Sequence, residues 1–258
     1  MANTKKTQTL LFLICSALSA ALFLTPTGCQ SPSEPGPKVI QESAPADAGA
    51  YPAARTKESQ AALSPQDALA KLRAGNARFV AGQSRARDLS AQVRATAEGQ
   101  YPFAVIVSCL DSRQPIELIF DQGIGDVFNA RVAGNVLNDD ILGSLEFACK
   151  VSGSKLILVL GHSNCGAIKG AADGVELGKL TGLLARIKPA MAQVPDDGQP
   201  RTSKNPHFIE KVAETNVRVV MQQIREQSPI LREMIEKGQI ILEGGVYDLS
   251  SGKVDFYP

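Results

Sequence analysis

The sequence predicts an α/β domain: a central, mainly parallel β-sheet flanked by helices, with an N-terminal helical arm. Three observations carry that prediction. From Tyr101 onward, short uninterrupted apolar runs alternate with longer segments of helical period, the pattern of strands covered on both faces by crossover helices. Hydrophobic residues make up 44% of the 258, enough for a substantial core, while 21% charged is ordinary for a globular chain. Two of the apolar runs, 103–107 and 155–160, lead into segments dense in ligating and charged side chains. That is the edge of an open α/β sheet where ligands bind.

Taken in order, residues 1–28 read as an export signal. Lys5 and Lys6 form a basic start, and residues 10–23 are an apolar stretch, shorter than the roughly twenty residues of a membrane span. Thr27-Gly28-Cys29 is similar to the end of a bacterial lipoprotein signal, which makes Cys29 the candidate lipidation site. Pro26 stands where that motif prefers leucine, and Ser19-Ala20-Ala21 offers an alternative cleavage region. Residues 29–62, rich in Pro, Ala, Ser and Glu, read as a disordered tether. About thirty flexible residues reach roughly 30 Å. The expected location is therefore outside the cytoplasmic membrane, in the periplasm or tethered on its periplasmic side.

The folded domain is expected over 63–258. Ser64 can cap a helix that Pro65 opens and whose dipole Asp67 complements. Leu69, Leu72 and Phe79 anchor it, and Gly75-Asn76 predicts a bend or break. A second short helix precedes Gln100. Next come a strand at 103–107, a short helix at 115–120 and a strand at 126–132. Asn138 caps a helix whose Ile141, Leu142, Leu145, Ala148 and Cys149 keep helical spacing. Cys149 belongs to that buried stripe and Phe147 is out of phase with it. After the strand at 155–160 the chain turns at Gly161, and Gly166 starts another helix. Further helices are expected at 175–187, 206–226 and 229–237, and strands at 239–242, 245–249 and 253–256.

The net charge is +1, and −1 once Lys5 and Lys6 are removed with the signal. Neither value, nor any basic block, points to nucleic acid. Of five cysteines, Cys15 lies in the signal and Cys29 at its end, leaving Cys109, Cys149 and Cys165 in the body. An odd number in an exported chain argues against a purely disulfide role.

Cys109-Leu-Asp111-Ser-Arg113 and His162-Ser-Asn-Cys165 together supply two thiols, an imidazole and a carboxylate. Zinc takes these donors in tetrahedral geometry. Two thiolates offset its double charge, leaving one position for water, whose pKa the metal lowers. Asp111 has two options: to ligate the metal and close the site, or to pair with Arg113 and leave it open.

Followed by Gly166, these segments resemble the active site of the β-class carbonic anhydrases. The resemblance runs from about Ser64 to Phe256. It includes the entry segment Leu72-Arg-Ala-Gly75-Asn76-Ala-Arg78-Phe79, the Arg131-Val-Ala-Gly134-Asn135 segment, Ser228-Pro229-Ile230-Leu231 and Gly245-Val-Tyr247-Asp248-Leu249. It implies a zinc-dependent, reversible hydration of carbon dioxide to bicarbonate and a proton through zinc-bound hydroxide, with one Zn2+ per chain. Cys109, His162 and Cys165 match the zinc ligands, and Asp111 and Arg113 the catalytic pair. Gln100, Phe128, Phe147 and Gly166 match substrate-pocket positions, with Phe147 expected to face the cleft at a dimer interface. A homodimer or higher homo-oligomer follows.

Two departures stand out. The chain has no tryptophan, which argues against the non-catalytic bicarbonate pocket of some bacterial relatives, and Ala133 replaces a common valine. His207, the only other histidine, reads as a surface residue at a helix start. The sequence leaves open hydrolysis of carbonyl sulfide or carbon disulfide on the same fold, or a non-catalytic zinc-bound bicarbonate sensor.

Overall fold

A computed structural model describes residues 53–257. The expected signal, the lipidation site Cys29 and most of the tether lie outside them. Among the described residues, five strands form one sheet: β1 (Ala104–Ser108), β2 (Val127–Arg131), β3 (Leu156–His162), β4 (Ile241–Tyr247) and β5 (Val254–Tyr257). Their spatial order is β2-β1-β3-β4-β5. The first four are parallel, and β5 returns antiparallel to β4.

Side-chain alternation divides the core between two faces. Ala104, Ile106, Leu156, Leu158 and Leu160 are fully buried and pack with Ala68 and Leu72 of α2 (Pro65–Val80). Ile116 and Ile119 of α4 (Ile116–Ile119) join them. Val105, Val107, Ile157 and Val159 point the other way, against Val217, Val220, Met221 and Ile224 of α9 (Pro206–Gln227). Each fully buried Leu, Ile or Val contributes about 1.5–3 kcal/mol, so β1 and β3 are the rigid centre. The chain leaves β1 for β2 on one side and returns to β3 on the other. That order places a topological switch point at the carboxyl ends of β1 and β3, where doubly wound folds bind ligands.

Several expectations need correction. The last residues of the expected tether are structured: Thr56 caps α1 (Lys57–Ala61), and buried Gln60 donates to the carbonyls of Pro102 (2.7 Å) and Ser152 (2.8 Å). Gly75-Asn76 does not break α2. A Cβ at Gly75 would lie 1.8 Å from the Phe120 carbonyl oxygen, so glycine there permits helix contact. Buried Asn76 donates to Ile119 and Gly252 and accepts from the Val254 N–H. The two strands expected at 239–242 and 245–249 are one, β4. Its Gly244 has no Cβ because one would meet Met221 Sδ at 2.7 Å, where α9 crosses. The helix expected over 175–187 is shorter, α7 (Gly178–Ala185), followed by α8 (Lys188–Gln193), with proline in the first turn of α8.

Other expectations hold. Ser64 and Asp67 form a reciprocal cap on α2. The short helix before Gln100 is α3 (Leu89–Thr96), and Asn138 caps α5 (Asp139–Glu146) through Ile141 N–H at 2.8 Å. The last turn widens into a π-turn over Phe147–Val151, which buries Ala148 and Cys149 and leaves Phe147 52% exposed. Burial pushes the Cys149 thiol up to about 12, consistent with an inert core cysteine. α6 (Gly166–Ala172) follows β3, and α10 (Pro229–Glu236) completes the helical layer. No helix among the described residues is long and apolar enough to cross a membrane.

Candidate metal centre

Cys109 stands just beyond β1, His162 is the last residue of β3, and Cys165 immediately precedes α6. The topology alone thus gathers three residues from two segments at the switch point. Their Sγ and imidazole nitrogen atoms all lie within 4.8 Å of one another, and all three residues are buried. Backbone geometry makes the gathering possible. Asn164 adopts a left-handed φ of 56°, turning the chain between His162 and Cys165. Gly134 has φ of 71°, and its N–H donates to Cys109 Sγ at 3.3 Å. Asn216 holds that turn by donating to the Gly134 carbonyl at 2.8 Å.

The donors suit a soft-to-borderline divalent metal. His162 Nδ1 lies 2.9 Å from the Ser163 carbonyl, which can only accept. Nδ1 therefore carries the hydrogen and Nε2 keeps its lone pair. That Nε2 is buried and finds no hydrogen-bond partner among the described residues, a cost that metal ligation removes. The Cys165 thiol, hydrogen-bonded to Cys109, brings the Cys109 thiol down to about 4 despite burial. The Gly134 and Asp111 N–H groups assist. Cys165 rises in turn, through the same shared hydrogen bond and its own burial. A dication between them would let both sulfurs ionise. The residues fit zinc.

Asp111 does not join the ligands. Arg113 donates to both of its oxygens, Nε to Oδ1 at 2.9 Å and a terminal nitrogen to Oδ2 at 2.8 Å, and the Arg113 N–H adds a third bond at 3.0 Å. The Arg113 side chain, against opposing burial, holds the Asp111 carboxyl well below the usual carboxylate range. Asp111 Oδ2 nevertheless remains 3.9 Å from His162 Nε2. Of the two options in the sequence, the structure shows the pairing with Arg113.

Arg131 was missed by sequence reasoning as a site residue. From the end of β2 it donates Nε to the Cys109 carbonyl at 2.9 Å and a terminal nitrogen to the Asp111 carbonyl at 2.5 Å. It straps the loop that carries a candidate ligand and the carboxylate. The only sequence signal was its place in the Arg131–Asn135 segment.

Gly166 opens α6 beside Cys165, and the position of its missing Cβ faces open space. The other expected pocket residues are not brought to the metal centre within one chain. Phe128 and Phe147 meet edge-on with ring centroids 6.2 Å apart and line a cavity of about 650 Å³ with Val105, Asn129 and Asp139. Gln100 lines a separate cleft with Thr96, Ile124 and Gly125. Neither cavity includes Cys109, His162 or Cys165. His207 is exposed in the first turn of α9.

Comparison with known proteins gives a consistent picture. A family model described as carbonic anhydrase matches residues 104–254. The chain is 37% identical to Carbonic anhydrase 2 of Mycobacterium tuberculosis over 188 residues, covering 70% of this chain and 87% of that protein. It is 33% identical to a carbonic anhydrase of Mycolicibacterium smegmatis over 190 residues, 71% and 89% of the two chains. Among solved structures, the β-carbonic anhydrase CafA of Aspergillus fumigatus superposes with a TM-score of 0.58 at 27% identity, covering 74% of this chain and 89% of that one.

Proposed function

Because this chain belongs to the β-carbonic anhydrase family, we propose that it hydrates carbon dioxide reversibly to bicarbonate and a proton, using zinc held by Cys109, His162 and Cys165. One observation carries the reading: three buried ligand atoms converge around an unpartnered His162 Nε2, with a carboxylate held just beside them by Arg113. Zinc, when bound, supplies a Lewis-acidic position that brings water's pKa toward neutrality.

The chain's own groups do the rest. Asp111 stays ionised because Arg113 neutralises it, so its free lone pairs can accept a hydrogen bond from the reacting water and orient it. Arg131 holds the backbone of that loop. Gly166 leaves room beside Cys165 for a small linear substrate.

Gln100, Phe128 and Phe147 take part only if a second copy supplies them, since one chain keeps them in other cavities. The half-exposed Phe147 and the open edge of β2 support a homodimer that completes each site across its interface. The basic and apolar start of the sequence, with Cys29 after Thr27-Gly28, supports work in the cell envelope, free or lipid-anchored.

Stopped-flow carbon dioxide hydration, with metal analysis on the same preparation, tests the core reading. Turnover with one zinc per chain is expected. A zinc-loaded protein that hydrates carbon dioxide no faster than buffer, while turning over carbonyl sulfide, would overturn it. Mass spectrometry of the mature N-terminus tests the anchor: an acylated Cys29 is expected, and a start near Ala21 rejects it.

A further inference from the structure

Away from the metal centre, one face of α2 and the loop from Asp121 to Asp126 enclose a cleft of about 490 Å³. Five basic side chains line it, Arg55, Lys71, Arg78, Arg85 and Arg87, against three carboxylates, Asp67, Asp121 and Asp126. The local excess is therefore two positive charges. The carboxylates are already committed. Asp121, wholly buried, accepts from Arg78 Nε at 2.5 Å, from the Arg85 N–H at 3.1 Å and from the Arg87 guanidinium. Asp126 pairs with Arg55 at 3.3 Å and accepts from the Gly123 N–H at 2.7 Å. Asp67 caps α2 at Ser64.

The cations are not used up in return. Among the described residues Arg78 commits only Nε, so both terminal nitrogens keep their donors. The Arg85 guanidinium and the Lys71 ammonium make no hydrogen bond or ion pair among the described residues. Arg87 Nε is a buried donor without a partner among the described residues. Neutralising Asp121 needs no more than one cation; the additional arginines leave planar donor forks around an open cleft. Such forks match the geometry of a tetrahedral oxyanion bidentately. Ala70 and Ala74 leave the floor open, and the space exceeds what a bare oxyanion needs.

We propose that this cleft binds a phosphate-type dianion, either inorganic phosphate or the phosphoryl group of a small phosphomonoester, through Lys71, Arg78 and Arg85. The test is thermal melting of the full zinc-loaded protein, titrated with sodium phosphate or with glycerol phosphate at constant ionic strength set by sodium chloride. A saturable rise in melting temperature is expected, and the tighter of the two probes identifies the source. The double variant Arg85→Glu with Lys71→Glu should weaken binding about tenfold or more while carbon dioxide hydration is unchanged. Should the charge reversals unfold the protein, Arg85→Gln with Lys71→Gln gives the same comparison. A rise matched by sodium chloride alone, or equal binding by wild type and variant, overturns the proposal.

Discussion

Arg113 grips both carboxylate oxygens of Asp111, at 2.9 and 2.8 Å, yet leaves Oδ2 only 3.9 Å from His162 Nε2. The carboxylate is thus one small rotation from the metal position and is held off it by a partner whose side chain is half-exposed. Arg113→Ala should free Asp111 to close on the metal. Carbon dioxide hydration is expected to fall by about 10²-fold or more, with zinc content unchanged. Arg113→Lys should recover little, because an ammonium cannot span both oxygens. An Arg113→Ala enzyme with wild-type turnover would show that the pair is only a surface ion pair.

Arg131 makes a separate prediction. Its two bonds go to backbone carbonyls of Cys109 and Asp111, so its loss leaves every ligand and the Asp111–Arg113 pair chemically intact. Arg131→Ala should lower kcat about tenfold with zinc retained, through a loosened loop. Arg131→Lys should restore part of it, as one carbonyl can still be reached. If zinc is lost along with activity, the strap holds the metal site itself rather than the carboxylate.

Asn164, between His162 and Cys165, sits at a left-handed φ of 56°. A β-branched residue pays most for that conformation, about 1–2 kcal/mol, and here the strain would fall on two ligands. Asn164→Gly should keep zinc affinity and melting temperature near wild type. Asn164→Val should lose both, read by chelator competition and thermal melting.

Asp121 governs acid stability. Burial alone would raise its pKa, but Arg87 and Arg78 overcome that and hold it below its ordinary value. A carboxyl depressed in the folded state adds stability that is fully present above its unfolded pKa of about 3.9. That stability drains away as pH falls toward the folded value. Asp121→Asn should therefore cost about 3–5 kcal/mol at neutral pH, since it leaves two arginines facing a buried amide. It should also flatten the loss of stability below about pH 4. Urea unfolding at pH 7 and at pH 3.5 reads both effects.

The sheet was legible because β1 and β3 are buried on both faces and so appear as unbroken apolar runs. The candidate ligands were legible because the short segments that carry them, 109–113 and 162–165, sit at the ends of those runs. Less visible was anything set by tertiary approach. Gly75 and Gly244 read as breaks in the sequence, yet each is a contact point for another element. Gln60 looks like tether composition until its amide is seen bonded to two distant carbonyls. Arg131 reads as an ordinary strand-end arginine because its partners are backbone atoms, which leave no trace in residue type. Gln100, Phe128 and Phe147 match pocket positions in sequence, yet one chain holds them in cavities apart from Cys109, His162 and Cys165.

That last point gives the sharpest test of a shared site. Suppose Cys109→Ala removes a ligand in one chain, while Gln100→Ala with Phe147→Ala removes the pocket residues of another. If each site combines metal ligands from one subunit with pocket residues from its partner, a mixed dimer contains one site with both defects. Its other site is entirely intact. Random mixing makes about half of all dimers mixed, so co-refolding two poorly active parents should recover about a quarter of wild-type turnover. If each chain instead builds its own complete site, every site in every dimer keeps one defect. Mixing then recovers nothing beyond the average of the parents, and size-exclusion chromatography confirms that dimers formed in either case.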